Sequence, residues 1–135
     1  MSERRLHHIG YVVPCLDSSI PEFQRFLRLD WDGRVFGDPL QMVRVCFLNS
    51  GVLGSLLIEL VEPAGNRSPV RRFAMQGGGL HHICYEVTNL AEEIANSRKR
   101  GGTLVRFPMP ATAFEGRRIA WVQGAGVILI EYLEI

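Results

Sequence analysis

The chain writes one eight-residue segment twice. LHHIGYVV fills residues 6–13 and LHHICYEV fills residues 80–87, 74 positions apart, while LLIELVE at 56–62 is echoed by ILIEYLE at 128–134, 72 positions apart. A slip of two residues over half a chain is what drift in loop length produces. An internal repeat fixes architecture before any local reading does, because each copy must be one supersecondary unit with the same element order. The 135 residues therefore read as a single domain, residues 1–135, built from one module at about 6–62, a linker at 63–79 and a second module at about 80–135. That length suffices to bury a sizeable core.

Within the first module, Leu6 to Val13 is rich in β-branched residues and stops at Pro14, as a strand does. Ser19-Ile-Pro-Glu22 has the form of a capping box, with Ile20, Phe23 and Leu27 following at helical spacing, so a helix of about three turns is expected to open there. WDGRVFG, LQMVRVCFL and SLLIELVE are apolar runs divided by turn residues and read as three strands. The second module repeats the order: a strand at 80–88, a helix opening at Asn89 and stopping at Gly101-Gly102, then TLVRF, RRIAWVQ and VILIEYLE as strands. The linker carries a short helical stretch near Pro69 to Met75 and ends in Gly77-Gly78-Gly79, which lacks a P-loop's lysine and hydroxyl and reads as a turn. The fold class is α+β, two tandem βαβββ modules.

Side chains alternate faces along a strand, so only one histidine of each doublet can face a given site. Glu59 and Glu131 stand at matching places in LLIELVE and ILIEYLE with apolar neighbours on both sides. A carboxylate inside a buried strand is costly unless it is paired or bound to a cation. Two imidazoles and two carboxylates, one of each per repeat, suit one divalent transition metal: Zn, Co, Ni, Mn or Fe. From the residues alone, either His8 with His82 or His7 with His81 could be the histidine pair.

Composition removes other classes. A net charge of +1, 21% charged residues and no single-sign block give no nucleic-acid face. No apolar run approaches the ~20 residues that span a bilayer, and MSERRL leads straight into a strand pattern, so a cytoplasmic protein is expected. The three cysteines, Cys15, Cys46 and Cys84, form no CxxC pair and read as reduced thiols.

HHIGYVV, IELVEP followed by SPV and RRF, GGGLHHICYEV, and GRRIAWV leading to GVILIEYLE together resemble the vicinal oxygen chelate superfamily over nearly the whole chain, and within it the methylmalonyl-CoA epimerases. The resemblance implies a cupped mixed sheet around one metal, with His8, Glu59, His82 and Glu131 as ligands. It also implies proton abstraction beside a carbonyl, the metal stabilising the enolate and Glu131 acting as base. Arg117 and Arg118 are the candidates for contacting an anionic substrate, arginine being suited to carboxylate and phosphate. Cupped sheets of this kind often associate, so a homodimer is compatible with the resemblance.

The chain departs from the epimerase pattern at three places. Val45 stands where some epimerases carry a second catalytic glutamate, VQGAG replaces an HPK segment, and ATAFEG replaces a loop that commonly holds glycine and histidine. A small-molecule acyl thioester is the expected substrate. The same ligands would serve a glyoxalase I-like lyase, and a non-catalytic binding or resistance protein would use the same cup. Members that only bind lack the ligands, whereas all four matching residues are present here.

Overall fold

The computed structural model describes residues 3–124, 126 and 128–135. Val127, where the expected last strand begins, lies outside the described residues, as do Ala125 of VQGAG and the first two residues of MSERRL. The class is α+β. Two compact units divide the chain, one of residues 9–80 and one of residues 81–135 together with residues 1–8. The first strand, β1 (Arg4–Val12), gives residues to both.

The unit of residues 9–80 contains α1 (Leu16–Leu27), β2 (Asp30–Trp31), β3 (Phe36–Asp38), β4 (Val43–Asn49), β5 (Leu57–Pro63) and α2 (Arg71–Met75). Strand β4 pairs antiparallel with β5, Cys46 opposite Leu60 and Phe47 opposite Glu59. Residues facing one another across a ladder share a face, so the sheet sorts into two sets. Cys46, Leu48 and Leu60 meet Leu16 and Ile20 of α1, with Phe23 packed beside them, and form the core of this unit. Val45, Phe47, Glu59 and Val61 take the face away from α1. Val45 is buried there and apolar.

Two sequence expectations change in this unit. Helix α1 does not open on a Ser19–Glu22 box: it starts at Leu16, and its N-cap Cys15 makes no side-chain cap bond. The Leu16 amide instead donates to Glu62 Oε1 at 3.0 Å, so a carboxylate from the end of β5 satisfies a donor that the local sequence leaves open. Burial of Leu16 then extends the apolar stripe one turn earlier, and Pro21 falls inside the helix. The single strand expected over WDGRVFG divides into β2 and β3, each pairing antiparallel with β4, on either side of the turn at Gly33.

The other unit contains β6 (Gly79–Val87) from His81 onward, α3 (Leu90–Lys99), β7 (Thr103–Pro110), a 3-10 turn (Thr112–Phe114), β8 (Arg118–Gln123) and β9 (Leu129–Glu134). Strand β6 runs parallel to β9, β8 is antiparallel to β9, and β7 is antiparallel to β8. Asn89 caps α3 as its sequence indicates, Oδ1 accepting from the Glu92 amide at 3.0 Å. The helix packs Leu90 and Ile94 on Val87, Ala120, Val122 and Tyr132. Ser97 and Tyr132 satisfy each other's buried hydroxyls at 2.8 Å. No helix among the described residues is long and apolar enough to cross a membrane.

The triple glycine is a turn, as its composition indicates, and Gly78 is its fixed point. Its φ is +76°, and a Cβ there would lie 2.1 Å from the Val12 carbonyl oxygen. Neither the dihedral nor the space admits a side chain. Gly77, with φ +107° and nothing within 4 Å of its Cβ position, meets only the dihedral obstacle. In urea melts, Gly77→Ala is expected to cost about 1–2 kcal/mol and Gly78→Ala clearly more; equal losses would refute the close approach to Val12.

Candidate functional site

Because α3 covers the Tyr132 side of its sheet, the opposite side carries the residues that alternate with that set, one position out of step along each strand. On β6 these are His82, Cys84 and Glu86, on β9 Glu131, and on β8 Trp121. The register places Cys84 opposite Glu131 and Glu131 opposite Trp121, a row across three strands. His8, from the part of β1 in this unit, adds a second imidazole.

His8, His82 and Glu131 are 0%, 2% and 3% exposed. His8 Nε2 lies 3.1 Å from His82 Nε2 and 3.1 Å from Glu131 Oε1, and His82 Nε2 lies 3.5 Å from the same oxygen. Glu131 Oε1 is buried and makes no hydrogen bond within the described residues. A cation about 2.0–2.2 Å from each nitrogen or carboxylate oxygen requires ligand-to-ligand edges of roughly 3.0–3.5 Å. The triangle has those edges, and its donor set is the imidazole and carboxylate type that divalent transition metals take. The residues fit such an ion.

Glu59 belongs to the other unit. It is 5% exposed, on the face of β5 away from α1. Its charge is felt locally: the Cys46 thiol is pushed up to about 12, by burial first and then by the Glu59 carboxylate. Cys46 therefore stays a protonated, inert thiol at neutral pH.

Each doublet is internally bonded. His7 Nδ1 lies 2.8 Å from His8 Nδ1, and His81 Nδ1 lies 2.8 Å from His82 Nδ1. His7 and His81 are half-buried where their partners are buried, as alternation requires. Burial, followed by the neighbouring His8, holds the His7 imidazole below its ordinary value and keeps it neutral. A third acceptor, the Cys84 sulfur, comes within 4.8 Å of ring nitrogens of His7 and His8. An aromatic ring of the same unit also lies against each doublet. Phe114, from the 3-10 turn, stacks on His8 at 5.9 Å and meets His7 edge-on, while Trp121 lies edge-on to His82 at 4.7 Å.

The two arginines separate. Arg118 is held at the surface by Glu134, donating from Nε at 3.1 Å and from Nη2 at 2.7 Å. Arg117 turns to Glu86, Nη1 to Oε2 at 3.2 Å, with its guanidinium 5.8 Å over the Phe114 ring. Glu86 is a member of this face that reading the sequence did not single out. Its signal was present, since it stands four residues beyond His82 and so shares its side of β6. Burial pushes the Glu86 carboxyl up, but hydrogen bonds from Arg5 and Arg117 outweigh burial and leave it below the ordinary carboxylate value.

A carboxyl depressed in the folded state contributes stability that is complete above its unfolded value and is lost as pH falls through its folded value. Glu86→Gln is expected to lower stability by about 1 kcal/mol at pH 7 and to leave the variant with a shallower loss of stability on acidification than the parent. Denaturant melts at pH 7 and on the acid side of the ordinary carboxylate value measure both. Parallel stability curves would remove Glu86 from the acid-sensitive set.

Known proteins are similar to this chain in sequence and fold. The family profile of the glyoxalase/bleomycin resistance protein/dioxygenase superfamily matches residues 7–121. The ethylmalonyl-CoA/methylmalonyl-CoA epimerase of Cereibacter sphaeroides is 28% identical over 120 residues, covering 87% of each chain. The mitochondrial methylmalonyl-CoA epimerase of Homo sapiens is 33% identical over 98 residues, 71% of this chain, and the match spans about half, 53%, of the human protein. The crystal structure of methylmalonyl-CoA epimerase from Mycobacterium tuberculosis superimposes with a TM-score of 0.80 at 28% identity, covering 96% of this chain and 86% of that one. With its doubled histidine and glutamate segments inside the matched fold, the chain belongs to the glyoxalase/bleomycin resistance protein/dioxygenase superfamily, and its relatives there include methylmalonyl-CoA epimerases.

Proposed function

We propose that the protein is a divalent-metal-dependent epimerase that moves a proton at the carbon beside the carbonyl of an acyl-CoA thioester such as methylmalonyl-CoA. The observation that carries the reading is the buried triangle of His8 Nε2, His82 Nε2 and Glu131 Oε1, with an oxygen that no hydrogen bond among the described residues satisfies. The relatives named as methylmalonyl-CoA epimerases supply the substrate class.

His8, His82 and Glu131 would hold the ion. Glu59 would be the fourth ligand, since it occupies in LLIELVE the place that Glu131 occupies in ILIEYLE. A buried carboxylate of this kind gains from a bound cation. A divalent ion held by these groups supplies Lewis-acid stabilisation of charge developing on a carbonyl oxygen beside the reacting carbon.

The chain's own groups do the rest. Glu131 is the base: a carboxylate at the cluster reaches the α-proton of a substrate whose carbonyl points at the same place. Trp121 and Phe114 wall the imidazoles and exclude water from them. Arg117, already bonded to Glu86, would offer its remaining donors to a substrate carboxylate. Arg118, bound in two-point fashion to Glu134, has the weaker claim. Val45, on the same face of the β4–β5 ladder as Glu59, is apolar and carries no proton, which leaves Glu131 as the base and Glu59 as a ligand with a second role open to it.

Solvent deuterium incorporation at the α-carbon of methylmalonyl-CoA, followed by mass spectrometry, tests the reading. The parent protein loaded with Co²⁺ or Zn²⁺ is expected to exchange, and Glu131→Gln to lose at least about 100-fold in rate. Stoichiometric metal retained in that variant separates lost base from lost ligand. Exchange that Glu131→Gln leaves unchanged would remove Glu131 as base. Turnover of a glutathione hemithioacetal without exchange would move the protein to the lyase class.

A further inference from the structure

The paired Nδ1 contacts of the two doublets have a chemical consequence that rests on the metal reading above. A neutral imidazole carries one proton, so a histidine that offers Nε2 to a metal must hold its proton on Nδ1. In both doublets that nitrogen lies 2.8 Å from the Nδ1 of the preceding histidine. One proton fits between two nitrogens at that distance. If it belongs to His8, then His7 Nδ1 accepts it and the His7 proton lies on Nε2; the same holds for His81 and His82.

We propose that His7 and His81 are positioning residues, each accepting the Nδ1–H of the histidine that follows and fixing it in the tautomer and ring orientation whose Nε2 is a bare lone pair. Partners of this kind raise ligand basicity and hold the ring against rotation. They are usually carboxylates or carbonyls from elsewhere in the fold. Here the partner is the adjacent residue, which explains why both repeats spell two histidines where one ligand is needed.

A second observation agrees. Phe114 contacts both rings of the first doublet, at 5.6 and 5.9 Å between centroids, and Trp121 both rings of the second, at 6.1 and 4.7 Å. An aromatic side chain thus bridges the two rings of each doublet. The His7 and His8 rings stand at 78° to each other and the His81 and His82 rings at 88°, so the two copies share one geometry.

Two-bond proton–nitrogen correlation spectra of the metal-free protein, labelled with ¹⁵N-histidine, read the tautomers directly. His8 and His82 are expected as Nδ1–H forms, and His7 and His81 as Nε2–H forms. His7→Leu is expected to let His8 populate the other tautomer and to weaken Zn²⁺ binding roughly 10- to 100-fold. His7→Asn, whose amide oxygen can accept near the Nδ1 position, is expected to restore most of that loss. Nε2–H forms of His8 and His82 in the parent protein would overturn the proposal, as would His7→Leu leaving both tautomer and Zn²⁺ affinity unchanged. The expected tautomers in a parent protein that takes up no Zn²⁺ would support the doublet arrangement and sink the metal reading alone.

Discussion

Parallel pairing of β6 with β9 sets the geometry of the unit that holds the histidine cluster. It places Cys84 opposite Glu131, so His82 and Glu131 come from strands that are neighbours in space but almost fifty residues apart in sequence. A one-residue slip would reverse every side chain on β9, sending Glu131 into the apolar packing of α3 and Tyr132 to the cluster. The slip is opposed from the α3 side. Tyr132 is buried against Leu90 and Ile94 and bonded to Ser97, a hydroxyl pair that would be left unsatisfied by any other register. The hydrophobic face therefore holds the polar one in place.

Burial then gives the cluster its chemistry. Two ring nitrogens and a carboxylate oxygen within 3.5 Å of one another are a concentration of lone pairs that water would dissipate at a surface. With all three residues nearly inaccessible, a cation at this place would be held strongly, since little water competes for the same lone pairs. Arg5, Arg117 and Glu86 form a separate group at the far end of the same stripe of β6, where one carboxylate is shared by two guanidinium groups and an excess of positive charge remains.

Much of the fold was legible in the sequence because the repeat supplied element order and α3 announced its own start through Asn89. The repeat pairs one histidine of each doublet with a glutamate, whereas the choice of His8 and His82 over His7 and His81 rests on the family resemblance. What escaped was long-range. The start of α1 depends on Glu62, and the division of β2 from β3 depends on pairing along β4, neither of which local spacing encodes. Glu86 and the bonding within the doublets escaped likewise. Strand alternation separates adjacent residues by face and does not foresee that their rings reach back toward each other.

The two helices differ in a way that bears on how the chain assembles. Asn89 caps α3 from within its own turn, so the end of that helix can be completed as soon as its residues leave the unfolded ensemble. The first amide of α1 waits for Glu62, 46 residues downstream, whose other oxygen is held by Arg44 of β4 at 2.8 Å. Closing that loop carries an entropic cost that the second repeat avoids. Two modules with one ancestral order thus have unequal contact order at their helix starts, so α3 can mature locally while α1 matures with its sheet.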